Sequence, residues 1–100
     1  MAKTIKWTTR SILDRTDIYK YWLNRNKSDA YSKKLEELFE KSAELISNYP
    51  HIGLQTNYRN VFSKVVKDYK IFYRVSSNEI QILRVWDTRQ RPESMKLSGD

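Results

Sequence analysis

Hydrophobic and polar positions change period twice along the chain. Near the start, "KTIKWTT" sets Ile5 and Trp7 alternately against polar neighbours, which is the two-residue period of a short strand with one buried face. From about Ser11 the period lengthens. Ser11 or Thr16 is placed to cap a helix in which Ile18, Tyr21, Trp22 and Arg25 share a face, while Lys20 and Asn24 turn outward. After "NRNKSD", Ser28 or Asp29 can cap a second helix. Its positions Leu35, Leu38, Phe39, Ser42, Leu45, Ile46 and Tyr49 recur in steps of three and four, and this strongest periodic signal predicts a stripe facing the core. "YPHIG" stops it.

The second half changes period again. "NVFSKVV", "KIFYRV" and "IQILRVW" are rich in Val, Ile, Phe and Tyr and are separated only by "KDY" and "SSNE". Connections that short predict an antiparallel meander, because parallel neighbours need a crossover of about a dozen residues or more. The order strand, helix, helix, strand, strand, strand gives an α+β fold: an N-terminal strand, a two-helix antiparallel hairpin and a three-stranded antiparallel meander. The amphipathic hairpin is expected on one face of a single sheet that the first strand joins, leaving the other face partly open.

Composition narrows the function classes. One hundred residues with 39% hydrophobic content suit one compact domain spanning residues 1–100, since chains of this size bury about two thirds of their unfolded surface. No cysteine is present, which excludes disulfides, thiol catalysis and Cys-ligated zinc. The single histidine, His51, leaves little scope for a His-based metal site or a Ser/His/Asp triad, and no cofactor is expected. No apolar run has the length of a membrane span, and "MAKTIKWTTR" lacks a secretory apolar core; the expectation is a cytoplasmic protein without a membrane partner. The 19 Lys and Arg against 12 Asp and Glu give a formal charge of +7, which favours an acidic or polyanionic partner.

An N-terminal strand ending in Trp7, a "YW" pair at Tyr21 and Trp22, a "PHIG" break from Pro50 to Gly53 and the run "YKIFYRVSSNEIQILRVWDTRQRP" form an ordered set. Together they resemble the RelE/ParE superfamily of bacterial toxins from type II toxin–antitoxin modules, over nearly the whole chain. The resemblance implies a growth inhibitor neutralised by a cognate antitoxin protein. It also implies one of two targets: mRNA in the ribosomal A site, cut by RelE-like members, or DNA gyrase, poisoned by ParE-like members.

Metal-free RNA cleavage needs a base for the 2′-hydroxyl, an acid for the leaving oxygen and cations around the phosphorane. Arg74 and Arg84 stand at positions similar to family arginines that hold phosphate, and from adjacent strands they could clamp one phosphate. Arg59, Lys64 and Lys67 add positive charge on the neighbouring strand region. Where related nucleases place His or Tyr at the end of the last strand, this chain has Trp86, Asp87 and Thr88. Asp87 could take a proton, or pair with Arg84, Arg89 or Arg91; Trp86 could stack on a base or close the core. The long helical hairpin, with a second helix of about 30 Å, is more like ParE-type members, for which the basic tail at Arg89 and Arg91 and the aromatics would be contact residues. The reading therefore leans to a ParE-like gyrase poison; the alternatives are a RelE-like nuclease and a decayed toxin kept for antitoxin binding.

Overall fold

The computed structural model describes residues 2–90. Strand β1 (Thr4–Trp7) leads into helices α1 (Thr9–Asn26) and α2 (Ala30–Asn48), and strands β2 (Leu54–Gln55), β3 (Val61–Val66), β4 (Tyr69–Val75) and β5 (Glu79–Asp87) follow. They form one five-stranded sheet in the order β1-β5-β4-β3-β2. The expected meander is β3, β4 and β5, antiparallel throughout. β1 joins it parallel to β5, from Thr4 opposite Glu79 to Trp7 opposite Ile82. β2 is an addition to the expectation: two residues long, it pairs antiparallel at the free edge of β3.

The cap of α1 differs from the two residues expected for it. Thr8 does this work, its hydroxyl accepting from the Ser11 amide at 3.1 Å and donating to the Ile82 carbonyl at 2.8 Å. One side chain thus satisfies a helix-end amide and fixes the helix start against β5. α1 ends at Lys27, whose φ of 55° places it in the left-handed region. Across the hairpin, Ser32 Oγ donates to the Tyr19 carbonyl at 2.7 Å, and Arg15 lies against both Glu36 and Glu40 at 2.9 Å.

The hairpin packs on one sheet face. Leu35, Phe39 and Ile46 of α2 meet Phe62, Val66, Tyr69, Ile71, Tyr73, Ile80, Ile82 and Val85, with Ile18 and Trp22 of α1 partly buried against them. The buried stripe of α2 is rotated from the expected one: Ser32, Leu35, Phe39, Ala43, Ile46 and Ser47 are buried, whereas Leu45 and Tyr49 are exposed. Small residues at 32, 43 and 47 let the helix approach β1 and α1, as the bond between Ser47 Oγ and the Lys3 carbonyl demonstrates. Hydrophobicity alone pointed to the larger side chains. The same holds in α1, where Tyr21 and Arg25 of the expected face are exposed.

The opposite sheet face carries a second, smaller cluster, Val61, Phe72, Leu83 and Trp86, all buried. A register shift in β5 opposite Phe72 and Tyr73 aims consecutive β5 residues unequally, as a bulge does. It falls at Leu83 and Arg84, beyond the point where β1 ends.

Candidate functional site: the groove between the first helix and the last strand

Past Ile82, among the described residues, no strand lies on the β1 side of β5, and α1 takes that place. Asp14 of α1 accepts the Val85 amide at 3.0 Å, so a carboxylate caps a sheet edge that would otherwise carry an unmet donor. The same carboxylate holds Arg84, with Nε at 2.8 Å and Nη2 at 3.1 Å. Both side chains are largely buried, 7% and 13% exposed. The guanidinium also lies 5.2 Å from the centroid of the Trp86 ring, within cation–π range.

This contact floors a groove of about 670 Å³ whose walls include Arg10, Leu13, Asp17, Tyr21, Asp87 and Arg89. Leu13 and Tyr21 are half exposed, so the groove offers apolar docking beside charge of both signs. At its far end Arg89 grips Asp87 through Nε at 2.9 Å and Nη2 at 2.7 Å, and its amide donates to the same carboxylate at 2.8 Å. The guanidinium hydrogen bonds, helped by that amide, hold the Asp87 carboxyl below its ordinary range despite partial burial. Tyr69, at the back of the groove, accepts the Trp22 indole N–H at 2.8 Å. Burial raises its phenol above the usual value even though that hydrogen bond pulls the other way.

The residues singled out from sequence fall in three places. Arg84, Trp86, Asp87 and Arg89 border the groove. Arg74 sits one strand away, opposite Val61 and Gln81; its register shares the outer face with Arg84, but Asp14 draws the Arg84 guanidinium to the β5 edge that faces away from β4. Arg59, Lys64 and Lys67 lie at the other side of the sheet, on β3 and its flanking turns. Trp86 is only 8% exposed, packed with Val61, Phe72 and Leu83, and its Nε1 is a buried donor with no hydrogen-bond partner among the described residues. Arg91 lies outside the described residues. Among the described residues no three His, Cys, Asp or Glu side chains are grouped to hold a metal ion, and no helix is long and apolar enough to cross a membrane.

Asp14 was absent from the sequence-based set. Its only local signal is an acid one turn beyond the buried Ser11 and one before Ile18, on the side of α1 that turns toward the sheet.

A family model described as the ParE toxin of the type II toxin–antitoxin system, parDE, matches residues 5–92. No curated protein sequence matches the chain. Among solved structures, a protein of the chromosomal ParDE toxin–antitoxin system from P. aeruginosa superposes with a TM-score of 0.74 at 19% identity, covering 86% of this chain and 96% of that one. The RelBE2 toxin–antitoxin complex from Mycobacterium tuberculosis gives 0.58 at 20% identity, covering 87% and 99%. The YoeB dimer from Staphylococcus aureus gives 0.59 at 17% identity, covering 86% and 97%. At these identities the three likenesses speak to the fold.

Proposed function

Because this chain belongs to the ParE toxin family of type II toxin–antitoxin systems, we propose that it arrests growth by binding a protein target, DNA gyrase, and not by cutting mRNA. The observation that carries this reading is the Asp14 carboxylate on Arg84. An arginine that clamps a scissile phosphate must offer its fork to the phosphate; here the fork is turned onto a carboxylate beneath a helix, 5% exposed as a residue. Asp87, the one acid at the end of β5, is held as an anion by Arg89, which makes it a weak base. Among the described residues Arg74 then stands without a second arginine directed at the same point.

The groove suits the other partner. An antitoxin segment with apolar residues for Leu13 and Tyr21 and carboxylates for Arg10 and Arg89 would bury its apolar side against α1 in the manner of a helix laid in a groove. Charge reversal at Arg89 and Arg91 together is expected to weaken the complex, more at low ionic strength than at high.

The test pairs two assays on toxin freed from its antitoxin. Gyrase supercoiling is expected to be inhibited, while mRNA from a cell-free translation reaction stays intact by primer extension. New 5′ ends inside the reading frame, lost in Arg74→Ala, would overturn the reading in favour of a ribosome-dependent nuclease. No effect in either assay, with no growth arrest in cells, would leave a decayed toxin retained for antitoxin binding.

A further inference from the structure

The far edge of the sheet carries a second surface of different character. β2 is the terminal strand of the sheet, and among the described residues no strand covers its outer side. Leu54, opposite Ser63 in the β2–β3 register, is 74% exposed, and Val65, two residues along the same face of β3, is 55% exposed. Ile52 and Tyr58, before and after β2, are about half exposed. Bulky apolar side chains clustered at an open strand edge are the usual mark of an interaction surface.

Its charge is mainly positive, with the exposed Asp68 next to Lys67 at its border. From Leu45 to Lys67 the sequence contains no Asp or Glu, but does contain Arg59, Lys64 and Lys67. None of these three cations is in an ion pair with a described residue. The α1–β5 groove differs in kind, since two of its three cations, Arg84 and Arg89, already have carboxylates and its lining adds Asp17. The patch is also held in shape. Tyr73, fully buried, donates its hydroxyl to the Pro50 carbonyl at 2.9 Å and accepts the Gly53 amide at 3.0 Å, so the segment that presents Ile52 and Leu54 is anchored to the core.

We propose that the β2 edge is the docking surface for the toxin's protein target, taking an acidic segment whose apolar residues cover Leu54 and Val65. Arg59 and Lys67, at the two ends of β3, disfavour a second copy of the chain, which would bring like charge to like charge across a two-fold axis; Lys64, opposite the buried Ile71, lies on the other side of β3. The aliphatic pair and the open strand edge favour polypeptide over nucleic acid, for which stacked aromatics would be the main anchors. With β5, β4 and β3 between them, the β2 edge and the α1–β5 groove can be occupied by separate partners. The occupant named here rests on the gyrase reading given above.

The test uses purified gyrase, the full-length toxin and its antitoxin. Leu54→Asp combined with Val65→Asp alters only exposed positions and is expected to keep the wild-type thermal midpoint. It should raise the toxin concentration needed to inhibit supercoiling by about tenfold or more and weaken binding to immobilised gyrase equally, with antitoxin affinity unchanged. Arg59→Glu combined with Lys67→Glu should do the same at low salt and less at high salt. If wild-type toxin inhibits gyrase and the aspartate variant is as potent, the β2 edge is not the docking surface and the gyrase reading stands. If wild-type toxin leaves supercoiling untouched, the gyrase reading falls and takes this occupant with it. Loss of antitoxin binding, loss of a wild-type dimer in sedimentation, or loss of binding to a mixed-sequence RNA oligonucleotide in the aspartate variant would each overturn the proposal by assigning the patch elsewhere.

Discussion

Asp14 and Arg84, seventy residues apart in the chain, form a two-pronged ion pair that also takes the Val85 amide. One carboxylate therefore ends a sheet edge, neutralises a buried cation and fixes α1 against β5. Removing one partner of such a pair strands the other charge, at a cost of about 3–5 kcal/mol. Asp14→Ala is expected to lower stability by that amount in urea unfolding. Asp14→Leu with Arg84→Met, which leaves neither charge, should recover most of it; a double variant no more stable than Asp14→Ala would mean that the Val85 amide, and not the charge, dominates.

Phe39 and Leu38 are adjacent in α2, but only Phe39 is fully buried; Leu38 packs at the margin of the core. Phe39→Ala is expected to cost about 3–5 kcal/mol and Leu38→Ala less than about 2 kcal/mol. Equal losses in chemical denaturation would place the helix stripe closer to its sequence-based position.

Tyr73 and Gly53 form the second internal clamp. Tyr73→Phe removes both the donor to the Pro50 carbonyl and the acceptor for the Gly53 amide, and should cost about 1–3 kcal/mol. A Cβ at residue 53 would stand 2.6 Å from the Ser63 carbonyl oxygen and 2.7 Å from the Tyr73 hydroxyl. A backbone oxygen cannot swing aside, so Gly53→Ala is expected to detach β2, read as faster amide exchange at Leu54 and Gln55. Unchanged exchange would contradict the tight approach.

Asp87 supplies a pH dependence with a defined sign. Arg89 holds its folded-state carboxyl below the ordinary range, so its contribution is complete above the unfolded value of about 4 and is lost as pH falls through the lower folded value. Arg89→Gln should bring the Asp87 titration, followed by carboxyl ¹³C shifts, back up towards about 4. A carboxyl that titrates alike in both proteins would show the pair to be broken in solution.

Much of the architecture was legible because it is periodic. Helix and strand periods place the hairpin and the meander, and the short "KDY" and "SSNE" breaks fix the antiparallel pairing of β3, β4 and β5. β2 was not legible, since two residues cannot express a period. The cap moved from Ser11 or Thr16 to Thr8 because Thr8 is also held by β5, a contact local propensity does not contain. Trp86 is buried, but in the Val61 cluster on the sheet face opposite the helices and not against them as weighed. The Asp14–Arg84 contact stayed invisible because nothing near either residue reports the other; only the register shift at the end of β5 and the early end of β1 bring them together.

The parallel pairing of β1 with β5 has a consequence for how the molecule comes into being. Among the described elements, β1 is translated first and its only strand partner last. At about 5–20 residues per second, the 72 positions from Trp7 to Glu79 hold β1 without a neighbour for roughly 4–14 s. During that interval the hairpin can form, but its apolar stripe has no complete sheet to cover. Every polypeptide released before β5 is made, by a truncated message or an early stop, lacks both strand and groove.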